Sequence, residues 1–123
     1  MSFRTQKKGT LIIPSGGKDH LFVILTAKCD EGQHLLVNFS SIYEGAFHDD
    51  SCVVNEGEHP FINRSSYIVY RQARIDKATH LIKCFKPREP VSDELFKRIC
   101  AGLLLSRHTP KRIKQYFMEN QGK

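Results

Sequence analysis

The polar groups able to do chemistry crowd into one stretch of the 123-residue chain. They are Asp49-Asp50-Ser51-Cys52, Glu58-His59-Pro60, Asn63-Arg64-Ser65-Ser66-Tyr67 and Tyr70-Arg71-Gln72-Ala73-Arg74. A histidine can move protons near neutral pH, an arginine can stabilise a pentavalent phosphate, and a tyrosine can stack on a base. The set therefore suits phosphoryl transfer on RNA. His59 precedes Pro60, which biases its backbone to an extended conformation and is expected to project the imidazole from a loop. Strand alternation is expected to place Ser66, Ile68 and Tyr70 on one face, with Tyr67, Val69 and Arg71 on the other. A hairpin with a structural histidine and surface cations is the plainer reading, and spacing alone favours it.

These residues sit among short, turn-punctuated apolar runs. Residues 9–14 read as a strand, and Ser15-Gly16-Gly17-Lys18-Asp19 as a turn in which glycine supplies positive φ. Residues 20–26 are continuously apolar after His20, as in a central strand covered on both faces, and residues 34–40 read as another core strand. Residues 51–54, 66–72 and 79–85 complete about six strands, which predicts a mainly β chain forming a small barrel or strongly curved sheet. After the prolines at 87 and 90, Ser92 is a helix N-cap, and Leu95, Ile99 and Leu103 recur at helical spacing. Thr109-Pro110 opens a second helix with an Ile113, Tyr116 and Phe117 stripe. Lys111, Arg112 and Lys114 stand in its first turn, where the helix dipole disfavours cations and an external anion would be welcome. The expected organisation is a single domain over residues 1–123, with a barrel over 9–86 and a C-terminal helical segment over 92–120.

Composition narrows the classes. Hydrophobic residues make up 40% and charged residues 26%, a globular balance that argues against extensive disorder. No apolar run approaches membrane-helix length, and residues 1–8 lack the apolar stretch of a secretory signal, so a cytoplasmic protein without membrane association is expected. The net charge of +6 is lopsided: residues 1–82 carry nine basic and nine acidic side chains, residues 83–123 ten and four. That asymmetry suits a polyanion or an acidic protein as partner, although basic faces are often only solvated. Cys29, Cys52, Cys84 and Cys100 form no C-x-x-C pair and read as reduced, mostly buried thiols. Cys52, His48 and His59 would need a fourth ligand at a spacing no standard zinc site has, so no metal or other cofactor is expected.

The order of segments resembles the MazF/PemK-like toxins of bacterial toxin–antitoxin modules. Residues 20–26 are similar to that family's second core strand, and residues 34–41 to its third, which typically ends in Thr-Ser. Residues 66–76 resemble its Ser-x-Val strand followed by Gln-x-Arg and Ile-Asp, and residues 91–95 the start of its C-terminal helix. The likeness covers roughly residues 9–105. The chain departs from the family at Asp19-His20, where Arg-Pro is usual. It departs again at Val69, Tyr70 and Arg71, where an arginine and an acid often precede the Gln-x-Arg.

The resemblance implies an SH3-like barrel with C-terminal helices. Its function would be that of a type II toxin: a homodimeric, metal-independent endoribonuclease cutting single-stranded RNA and held in check by an antitoxin protein. On this chain the catalytic set would be His59 as general acid or base, His20 as second proton carrier and Arg71 clamping the phosphate. Arg64, Tyr70, Ser41, Lys18, Arg74, Lys111 and Arg112 would contact RNA. The alternative is a non-catalytic barrel that binds nucleic acid or a protein, as a phage or plasmid regulator would, with the basic tail as its main contact surface.

Overall fold

The computed structural model describes residues 5–84 and 86–122, apart from the side chains of Ser15 and Cys84. The expectations for residues 1–4, for the Cys84 thiol and for Phe85 lie outside the described residues. Among the described residues seven antiparallel strands form the sheet: β1 (Thr10–Ser15), β2 (Lys18–Ile24), β3 (Gln33–Ser41), β4 (Val53–Val54), β5 (Ser66–Ile68), β6 (Arg74–Lys77) and β7 (Lys86–Arg88). Among the described residues three helices accompany these strands: α1 (Ala78–Cys84), α2 (Asp93–Leu105) and α3 (Lys111–Asn120). The strand order runs openly from β4 through β5, β3, β2 and β1 to β7, with β6 also on β3.

The hairpin β1–β2 follows from its two-residue loop. Gly16 and Gly17 have φ of 59° and 80°, the left-handed pair that a tight hairpin needs, and this sets the Ser15–Lys18 pairing. The unbroken apolar runs of β2 and β3 are explained by burial on both faces. On one face Leu21, Val23, Leu35, Val37 and Phe39 meet Leu95, Ile99 and Leu103 of α2 and Ile113 and Phe117 of α3. On the other, Phe22, Ile24 and Leu36 meet Leu11, Ile13 and Leu81 of α1. Ser92 caps α2, its Oγ accepting from the Leu95 N–H at 3.1 Å, with Asp93 and Glu94 in the first turn.

Two strand expectations are corrected. The run from Thr79 was read as a strand, but Ala78 to Cys84 is helical. Its burial has helical spacing: Ala78 and Leu81 are buried while Ile82 is 48% exposed, and His80 reaches back to Asp76 at 3.1 Å. The run over residues 66–72 is a strand only to Ile68 and then turns through a single 3-10 turn at Tyr70–Gln72. Alternation therefore fails there, and Ser66, Tyr67, Ile68, Val69 and Tyr70 are all buried.

Candidate functional site

The site is built by a fork in the sheet. β2 pairs with β3 only across Phe22–Ile24 and Leu36–Asn38. Beyond Asn38, residues Phe39–Ser41 part from β2 and stay paired on their other edge with β5, while Lys18–Leu21 stays with β1. A cleft of about 200 Å³ opens where the two strands part. Lys18, Asp19 and His20 border it from β2, Ser41 from β3, and Tyr43, Phe61 and Asn63 from the loops beyond, over a floor that includes Phe39 and Ile62. Tyr43 is 53% exposed, and the Arg64 guanidinium lies 4.3 Å from its ring centroid. Arg64 Nη2 also donates to the Ile42 carbonyl at 3.2 Å, which fixes the arginine against the tyrosine. A half-buried imidazole, an ammonium, a carboxylate, a hydroxyl, an amide and two accessible aromatic rings thus share one small opening.

Of the sequence-derived candidates, the cleft brings together Lys18, His20 and Ser41, with Arg64 joined through Tyr43. The other sequence-derived candidates lie elsewhere. His59 is only 2% exposed, and both ring nitrogens are committed: Nδ1 accepts from the Phe61 N–H at 3.1 Å and Nε2 donates to the Glu89 carbonyl at 2.6 Å. His59 stands in a bend that opens a turn closed by the Ile62 N–H on its carbonyl at 2.9 Å, with the ring inward, so the expected general acid or base is a strut of the fold.

Tyr70 is fully buried, and its hydroxyl donates to the Ile99 carbonyl of α2 at 2.7 Å. It cannot stack on a base, and burial raises its pKa far above the phenol range. Arg74 lies 4.8 Å from the Phe22 ring centroid and 3.5 Å from Asp76, outside the cleft. Lys111 and Arg112 are exposed in the first turn of α3, which has neither an acidic residue there nor a side-chain cap. Arg71 is exposed beside Phe47, 6.0 Å from its centroid, and not beside His20.

Tyr43 and Phe61 are the residues that sequence reasoning missed, and Asn63 stood in the polar stretch without a role. The signal was an aromatic residue in the polar, glycine-bearing loop Tyr43-Glu-Gly-Ala-Phe47, too short of apolar neighbours to be core. Among the described residues, no three His, Cys, Asp or Glu side chains converge to hold a metal, and Cys29, Cys52 and Cys100 are free thiols. No described helix is long and apolar enough to cross a membrane. No protein-family model, curated protein or solved structure matches this chain.

Proposed function

We propose that the chain is a divergent SH3-like barrel of the MazF/PemK kind, whose cleft between β2 and β3 binds single-stranded RNA. The observation that carries the reading is the convergence of Lys18, His20 and Ser41 with the Tyr43–Arg64 pair around one opening. An unpaired nucleotide asks for these groups: a cation for its phosphate, a π-face for its base, and donors and acceptors for the base edge and 2′-hydroxyl. The cleft is smaller than a drug-sized pocket, which suits one base with the strand continuing outside. The barrel reading draws support from the His59–Glu89 hydrogen bond, which ties the loop after β4 to the residue after β7 and so joins the two ends of the strand order.

The ribonuclease reading narrows to His20, because His59 is committed to the fold. The specific observation in its favour is that His20 and Lys18 border the same cleft. His20 would take the proton of a 2′-hydroxyl as its oxygen attacks phosphorus, and would return a proton to the departing 5′-oxygen, leaving a 2′,3′-cyclic phosphate. Lys18 would stabilise the charge on the phosphorane.

The test is incubation of labelled single-stranded RNA in EDTA with the wild type and with His20→Ala. Salt-sensitive binding by the wild type without cleavage supports the binding module. Cleavage lost in His20→Ala makes the protein a ribonuclease. Neither binding nor cleavage at low salt sinks both readings.

A further inference from the structure

Phe47 is 58% exposed in the loop that also carries Tyr43, more than any described large hydrophobic residue except Leu105. The cleft does not use it. The Ala46 N–H donates to the Tyr43 carbonyl at 3.1 Å, closing a turn whose third residue, Gly45, has φ 80°. The two ends of such a turn are within about 7 Å and Phe47 is one Cα step of about 3.8 Å further, so Tyr43 and Phe47 are at most about 11 Å apart. Each ring is accompanied by a cation or imidazole. Arg64 lies over Tyr43, whereas Arg71 approaches Phe47 at 6.0 Å and His108 meets it edge-on, with centroids 5.2 Å apart at 76°.

Carboxylates do not dominate this surface. Asp49 is buried and accepts from the Ser106 hydroxyl and, at 2.9 Å, from the Ser51 N–H. Asp50 lies 2.7 Å from His48. Glu44 is the loop's remaining acid, against Arg64 over Tyr43 and Arg71 and His108 beside Phe47. Among the described residues, no carboxylate forms a salt bridge with Arg71.

We propose that residues 42–50 form a two-step stacking platform for single-stranded RNA, with one base at Tyr43 in the cleft and a second at Phe47 between Arg71 and His108. The proposal rests on the cleft reading above and adds a second contact to it. Aromatic rings backed by arginine accept any base, because every base has a π-face, and the surrounding cations hold the phosphates between them. Arg71, placed by its sequence neighbours with the catalytic residues, thereby becomes a strand-tracking cation.

The experiment measures anisotropy of a labelled uridine dinucleotide, which fills only the cleft, and of a longer oligouridylate that reaches Phe47. Phe47→Leu keeps an apolar side chain and removes the π-face. It is expected to bind the dinucleotide like the wild type and the longer strand at least about fivefold more weakly. The chain has no tryptophan, so Phe47→Trp places a sole indole on the platform. It is expected to bind the longer strand at least as well as the wild type, with its emission quenched by the stacked base. Should Phe47→Leu not fold, the tryptophan variant decides alone. Wild-type-like binding of the longer strand by Phe47→Leu, or an indole unmoved by RNA, overturns the platform and leaves the cleft standing. Failure of the wild type to bind either oligonucleotide removes the cleft reading and the platform together.

Discussion

The His59 ring and the Glu89 carbonyl, 2.6 Å apart, link the loop after β4 to the residue that follows β7. The carbonyl can only accept, so Nε2 carries the proton, and Nδ1 is left to accept from the Phe61 N–H. Removing the ring leaves the Phe61 N–H without its acceptor and the Glu89 carbonyl with only the Thr10 hydroxyl, at about 1–3 kcal/mol for such a loss. His59→Ala should therefore lower the thermal midpoint while its folded fraction still binds RNA with wild-type affinity. Chemical denaturation beside anisotropy checks this; an undiminished midpoint with lost RNA function would return His59 to the site.

Tyr70 and Gly102 form a second interlock. A Cβ built on Gly102 would stand 2.3 Å from the Tyr70 Oη and 3.0 Å from the Ser51 carbonyl, so the helix carries glycine where the tyrosine hydroxyl passes to Ile99. Gly102→Ala should destabilise despite alanine's better helix propensity, because the crowding exceeds the propensity gain of about 1 kcal/mol. Tyr70→Phe should cost about 1 kcal/mol through the lost hydrogen bond. In the double variant the shortest clash is gone, so the combined loss should be smaller than the sum. Simple additivity in urea melts would show that the two residues do not share this space.

Much of the architecture was legible where one physical cause dominates. The Gly16-Gly17 turn, the apolar runs of β2 and β3 and the Ser92 cap are local signals with local explanations. The α1 segment was not, because a short run such as Thr79-His-Leu-Ile suits either period, and only tertiary packing of Leu81 selects the helix. His59 and Tyr70 were misplaced for a related reason: a polar group able to do chemistry is equally able to satisfy a buried backbone carbonyl. The cleft itself depends on β2 and β3 parting beyond Leu21 and Asn38 while β2 stays with β1 and β3 with β5, a long-range pairing that no local pattern encodes.

His34 gives the fold a pH dependence near neutrality. It is fully buried, with Nδ1 donating to the Thr26 carbonyl at 2.8 Å and Nε2 accepting from the Thr5 hydroxyl at 2.8 Å. Burial holds its pKa below the ordinary 6.5, against the opposing pull of the Thr26 hydrogen bond and with help from nearby Lys28. The unfolded chain therefore takes up this proton first, so the stability contributed by the neutral ring is present above pH 6.5 and is lost as pH falls below it. Asp49 adds to the same trend at lower pH. Burial raises its pKa, but hydrogen bonds from Ser106 and Ser51 outweigh that and hold it below 3.8, so its contribution is lost as pH falls further. Denaturant midpoints should fall between about pH 7 and pH 5, and His34→Gln should be less stable at pH 7 but flatter across that window. An equal slope in the variant would assign the dependence to another group.

Lys18 and the α3 cations make separable electrostatic predictions. Lys18 borders the cleft beside the Gly16-Gly17 turn of the β1–β2 hairpin, so a phosphate entering there releases its counterion against this ammonium. For a single strand each such contact steepens the log–log salt dependence by about 0.7, and Lys18→Ala should remove about that much from the slope for even a uridine dinucleotide. Lys111 and Arg112 do not border the cleft, so replacing both with alanine should leave dinucleotide affinity and its slope unchanged. If the longer strand follows the platform past His108 toward the start of α3, the same double substitution should flatten its slope alone. A dinucleotide that loses salt sensitivity with Lys111 and Arg112, and keeps it without Lys18, would move the phosphate site from the sheet fork to the helix.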